Sequence, residues 1–130
     1  MNNGPLEIEK LIVTIKKLRG ENGCPWDQRQ TPSSLKKYLR EEVDELISAI
    51  DNNDVDNISE EIGDILYVLI MISDIYCDKG DFSFNDCINS INEKLIRRHP
   101  HVFAGKSINN EEDLRKQWEN IKKAEKQRNN

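Results

Sequence analysis

Carboxylates recur at helical spacing in two short stretches, Glu41-Glu42-Val43-Asp44-Glu45 and Glu60-Glu61-Ile62-Gly63-Asp64, and their side chains interrupt otherwise apolar faces. An α-helix advances about 100° per residue, so side-chain directions follow from residue numbers alone. Between Leu35 and Ile50 the apolar residues Leu35, Leu39, Val43, Leu46, Ala49 and Ile50 share one arc. Glu42 falls inside that arc, Glu45 lies at its edge, and Glu41 is a step further round. Between Ile58 and Tyr76 the apolar arc is wider; Glu61 points between Val68 and Ile72, and Asp64 follows one turn later on the same side. An ionised carboxylate pressed against apolar surface must take up a proton, pair with a cation or bind a metal, because isolated burial costs several kcal/mol. Two inward acids three residues apart on each of two helices suit the metal best. Donors that are all oxygen favour hard cations, Mg²⁺ first and Mn²⁺ second. A di-iron carboxylate bundle would need Glu-x-x-His on two helices. The histidines, His99 and His101, have no glutamate three residues upstream. The plainer alternative is a solvated acidic face with tolerated i,i+4 pairs, and the inward phase of Glu42 and Glu61 argues against it.

The elements that must carry these residues are helices. Leu6, Ile8, Leu11, Ile12, Ile15 and Leu18 predict a first helix from about Pro5 to Leu18, ended by Gly20 and Gly23. The segment Arg19 to Thr31, rich in Gly, Asn, Pro and Asp, reads as a structured loop. Thr31 is placed as an N-cap with Pro32 at the first helical position, opening the helix that bears Glu41, Glu42 and Glu45 and closes at Asp51-Asn52-Asn53-Asp54. Asp54 or Asp56 caps a third helix reaching about Cys77, nearly apolar all round from Ile65 to Ile72 and therefore central. Gly63 within it suggests close approach of another helix or a ligand, since mid-helix glycine loses about 1 kcal/mol relative to Ala, the plain alternative being a tolerated small residue. Lys79-Gly80-Asp81 ends this helix; Ser83 and Asp86 resemble a capping pair for a fourth helix to about Arg98, broken by His99-Pro100-His101. A last, polar helix from roughly Asn110 to Gln127 carries only Leu114, Trp118 and Ile121 on one stripe. Without strand-like alternation or internal repeats, the expectation is an all-α bundle of four to five helices. Metal and ligand sites in bundles form between facing helices.

The 130 residues suit one domain, taken as 1–130. A net charge of −5 and the absence of any long Lys/Arg block argue against nonspecific nucleic-acid or membrane-surface binding. The longest apolar run, Ile65 to Ile72, is too short to span a bilayer. Asn2, Asn3, Pro5 and Glu7 lack the basic start and apolar core of a signal peptide, so a cytoplasmic location is expected. Three cysteines, at 24, 77 and 87, suggest neither a disulfide framework nor a metal clip; Cys77 and Cys87 are expected to pack as small hydrophobes. Lys36 and Lys37 read as a solvated face, and the two histidines as loop structure. Trp26 and Trp118 can each stack on a base, although tryptophan on a thin apolar stripe is more often packing.

Glu41-Glu42-x-x-Glu45, fifteen residues and then Glu61-x-x-Asp64 resembles the signature of the MazG-type nucleoside triphosphate pyrophosphohydrolases. Gly23-Cys24-Pro25-Trp26-Asp27, the helix start from Thr31 to Leu39, Lys94 through Arg97-Arg98-His99-Pro100-His101-Val102-Phe103, and Trp118-Glu119-x-Ile121-Lys122 resemble the same family in the same order. The similarity covers about Leu11 to Lys126. It implies an all-α fold assembled as a homodimer or larger homo-oligomer, and Mg²⁺-dependent hydrolysis of a nucleoside triphosphate to the monophosphate and pyrophosphate, with Mn²⁺ as a possible substitute. By position it implies Glu42, Glu45, Glu61 and Asp64 as metal ligands and Glu41 as an assisting group, with Lys94, Arg97 and Trp118 near substrate. Glu41 or Glu45 is then the candidate to take a proton from attacking water. Acids facing a polyanionic triphosphate would repel it, so divalent cations must stand between them. Well-known members carry two tandem copies where this sequence carries one. Rival readings are a relative acting on a deoxyuridine-type or phosphoribosyl-nucleotide substrate, and a catalytically silent bundle.

Overall fold

A computed structural model describes residues 6–129, and every regular element among them is helical. The elements are α1 (Glu7–Arg19), α2 (Pro25–Arg29), α3 (Pro32–Asp51), α4 (Val55–Asp78), α5 (Phe84–Arg98), α6 (Pro100–Phe103) and α7 (Glu111–Asn129). The all-α expectation holds, with seven helices among the described residues in place of four to five. The two additions are short. Each begins at a proline, Pro25 and Pro100, whose fixed φ suits a first helical turn, inside segments read as loops. Pro5, taken as the start of the first helix, lies outside the described residues. No described helix is long and apolar enough to cross a membrane.

The chain divides into two compact units between Phe84 and Asn85. In the first unit α3 and α4 pair along their length, and α1 packs against α2 and α4. Ile15 of α1, Leu35 of α3 and Val68, Ile70, Met71 and Ile75 of α4 form the core. Fully burying each such side chain contributes about 1.5–3 kcal/mol, so α4 is the central element that its apolar sequence predicts. The arc drawn on α3 is only partly covered. Leu35 and Ala49 are buried, whereas Val43 and Ile50 remain exposed, because α4 covers one side of the arc and no described element of this unit covers the rest.

Caps set the hairpin's register. The Thr31 hydroxyl accepts from Ser34 N and the Ser34 hydroxyl accepts from Thr31 N, a reciprocal box that starts α3 where the sequence placed it. Asp54 accepts from Asn57 N and starts α4 after a three-residue turn in which Asn53 has φ 51°. A Cβ at Gly63 would meet nothing within 4 Å, so no described helix approaches closely there, and of the two readings the tolerated small residue fits. Two buried acids escape periodicity arguments. Asp74 of α4 pairs with Lys16 and Arg19 at the C-terminal end of α1, and Asp27 of α2 accepts from the Tyr67 hydroxyl of α4. These contacts tie α1 and α2 to the central helix.

In the second unit, Asn110 caps α7 by accepting from Asp113 N at 2.8 Å. Gln117, not the Leu114–Trp118–Ile121 stripe, supplies the buried residue of α7; its Nε2 donates to His101 Nδ1 at 3.0 Å. Cys77 is half-buried and Cys87 exposed, so only the former fits the expected packing role.

Candidate metal centre

The α3–α4 hairpin brings the inward glutamates together. One oxygen from each of Glu42, Glu45 and Glu61 lies within 4.8 Å of the others. Three carboxylate oxygens gathered this closely are the donor set that would hold one hard divalent cation. Glu42 Oε2 and Glu61 Oε2 are buried and have no hydrogen-bond partner. Buried carboxylate oxygens without donors are costly, and a hard divalent cation is the partner that satisfies both at once. A polar cavity of about 230 Å³, lined by Glu45, Ser48, Asn52, Asp54, Asn57 and Glu61, adjoins two of the three acids.

The electrostatics match that geometry. Glu42 is pushed up to about 8, first by a proton shared with Glu61, then by burial and by the charges of Glu45, Asp64 and Glu61. For Glu61 the bond with Glu42 works downward, yet burial, the bond with Glu45 and the charges of Glu45 and Asp64 outweigh it and raise its pKa. The crowding of these carboxylates is a mutual repulsion that a proton on Glu42 relieves in part. Asp64 is half-buried and acts on Glu42 and Glu61 through its charge, but stands outside the triad whose oxygens converge. Glu41 is exposed and also outside it. Lys36 and Lys37 are exposed, as their reading as a solvated face expects, and Trp26 packs edge-on against Tyr38 beside the core.

The candidate substrate residues belong to the second unit. Lys94 is half-buried on α5. Arg97 donates from Nε to Glu125 Oε2 at 2.5 Å, and Arg98 donates from Nε and Nη2 to Glu125 Oε1 at 3.2 and 2.8 Å. Trp118 is 44% exposed, with Lys122 Nζ 4.9 Å from its ring centroid. It lines a cavity of about 450 Å³ with Arg98, His99, Glu111, Leu114 and Arg115. His99 Nδ1 lies 2.6 Å from Leu95 O and His101 binds Gln117, structural partners of the kind expected for loop histidines. The reading of the sequence missed Glu125. A signal existed, because Glu125 lies seven residues after Trp118 on the same helical face and two adjacent arginines require a counter-charge.

Among the described residues a helical hairpin gathers carboxylates suited to a hard divalent cation, which places the chain in the class of all-α proteins with an acidic candidate metal centre. A family model of the MazG nucleotide pyrophosphohydrolase domain matches residues 30–103, and the chain belongs to that family. It is 45% identical, over 97% of its length and 48% of the relative's, to a nucleoside triphosphate pyrophosphohydrolase/pyrophosphatase MazG of Thermotoga maritima. It is 46% identical to the uncharacterized protein YabN of Bacillus subtilis, over 94% of this chain and 27% of that one. The crystal structure of a mazG-related protein from Thermotoga maritima superposes with a TM-score of 0.73 at 30% identity, covering 88% of this chain and 98% of that one. The chain thus spans less than half the length of these two curated relatives.

Proposed function

We propose that this chain is a Mg²⁺-dependent nucleoside triphosphate pyrophosphohydrolase that cleaves the α–β anhydride of a ribo- or deoxyribonucleoside triphosphate, giving the monophosphate and pyrophosphate. The observation that carries this reading is the convergence of Glu42, Glu45 and Glu61 with two buried oxygens lacking donors. Family membership supports the reaction class. Glu42, Glu45 and Glu61 hold the cation, with Asp64 as a fourth ligand after a side-chain rotation. Mg²⁺, when bound, supplies the positive charge that offsets these acids and the phosphates and makes water more acidic. Glu41 or Glu45 accepts the proton of the attacking water, being the exposed carboxylates of the cluster. Lys94 and Arg97 bind phosphate oxygens, and Trp118 offers its open face to the base. Mn²⁺ can substitute for Mg²⁺. We place the enzyme in the cytoplasm, clearing unwanted nucleotides, and treat residues 1–130 as one domain, since the family match runs through both compact units.

A homo-oligomer completes this reading. Val55, Ile62 and Leu69 repeat every seven residues along α4 and are all exposed, as are Val43, Ile47 and Ile50 on α3. A second copy is the proposed cover, because a seven-residue apolar stripe pairs with its own kind.

The reaction is tested by incubating the chain with Mg²⁺ and a panel of ordinary and modified nucleoside triphosphates while measuring pyrophosphate release. Activity toward at least one is expected, with loss of about a hundredfold or more in Glu42→Gln and Glu61→Gln. Without metal at neutral pH, Glu61→Gln should melt at or above the wild-type temperature, since it removes a repelling charge, and Glu42→Gln close to it, since Glu42 already holds a proton below about 8. Full activity in both would remove the carboxylates from the chemistry.

A further inference from the structure

Glu125 of α7 is the counter-charge of two neighbouring arginines, and it treats them differently. Arg98 closes on Glu125 Oε1 with two of its nitrogens, Nε and Nη2, and its side chain is mostly covered. Arg97 offers only Nε, to Oε2. Its side chain is 38% exposed, and among the described residues no partner takes its terminal nitrogens. A guanidinium is planar, so fixing Nε fixes the plane in which the two terminal nitrogens project. That leaves the paired donors that grip a phosphate bidentately facing away from Glu125, with their direction already set. The carboxylate is well placed to hold this arrangement. It is only 13% exposed, and the bonds from Arg98 and Arg97 keep its pKa far below the ordinary value, so it stays charged at any neutral pH.

We propose that Glu125 is a positioning residue that fixes the Arg97 guanidinium with its terminal nitrogens presented to a phosphate group, Arg98 serving as the brace that holds Glu125 in place. The inference deepens the proposed function and rests on its assignment of Arg97 to phosphate. Presenting Arg97 in advance removes the ordering cost from binding, so the effect falls on ground-state affinity.

The test compares Glu125→Gln with the wild-type chain by two measurements. In hydrolysis of whichever triphosphate the wild type turns over, KM is expected to rise about tenfold with kcat changed less than about twofold. In titration calorimetry with inorganic tripolyphosphate, a probe with no base or sugar, the Kd is expected to weaken by about the same factor. In an Arg97→Ala background the Glu125 substitution should add nothing, as for two residues acting through one group. Glu125→Asp, which keeps the charge on a shorter arm, serves if the glutamine variant fails to fold, and an intermediate weakening is expected. Unchanged affinity in both measurements overturns the inference. So does tighter binding, which would mean that Glu125 competes with phosphate for Arg97. A wild-type chain that hydrolyses no triphosphate sinks the proposed reaction alone, because the tripolyphosphate titration still decides the role of Glu125.

Discussion

Glu42 and Glu125 are carboxylates displaced in opposite directions, and the sign of each displacement fixes how stability follows pH. An unfolded Glu42 loses its proton near 4.5, while the folded one keeps it to about 8. Across that interval the native chain binds more protons than the unfolded chain, so stability falls as pH rises. Glu125 is lowered instead, to about 2, by its bonds from Arg98 and Arg97; its contribution is present above 4.5 and fades only as pH falls toward 2. A divalent cation bound as proposed would displace the Glu42 proton and reverse the first slope. Scanning calorimetry without metal is therefore expected to show melting temperature dropping between about pH 5 and 8, with millimolar Mg²⁺ restoring little at the acid end and most at the alkaline end. A Mg²⁺ increment that does not grow with pH would separate Glu42 from the centre. The inward phase of Glu42 and Glu61 was legible because it needs only a fixed angle per residue. Asp74 and Asp27 were not, since each depends on a partner brought from a distant helix, and local spacing carries no trace of that meeting; Glu125 left only the hint of two adjacent arginines in need of a counter-charge.

Among the elements, α3 and α4 were the most readable, because Thr31, Pro32 and Asp54 are terminal signals whose hydrogen bonds form within four residues. The short helices α2 and α6 were read as loops. A one-turn helix has no periodicity to detect, and the prolines that begin these two are equally at home in a turn. Gly63 is a local oddity that no described helix explains, as a merely tolerated small residue requires. Its position opens into free space, so Gly63→Ala is expected to raise the unfolding free energy by about 1 kcal/mol, measured by urea denaturation. A loss of stability would mean that α4 has a neighbour at that turn in solution.

At the scale of the whole molecule, helical class and the acid-bearing hairpin followed from the sequence, while the true extent of burial did not. Periodicity marks an apolar arc without saying what covers it, and Val43, Ile50, Ile62 and Leu69 stayed open where a filled core was drawn. A stable homodimer buries about 1,200–2,000 Å² or more in total. Ile62→Asp is expected to shift the sedimentation coefficient from that of an oligomer to that of a 15.1 kDa monomer, and an oligomer unaffected by it would place the interface elsewhere. Gly23 carries a different kind of consequence. A Cβ there would overlap the Leu18 carbonyl oxygen, the same oxygen that accepts from Cys24 N at 2.8 Å. Any side chain must lift this loop, and with it Asp27, four residues on and hydrogen-bonded to Tyr67 of the central helix. A single added methyl group at this tight corner would thus loosen the joint between the loop and the central helix.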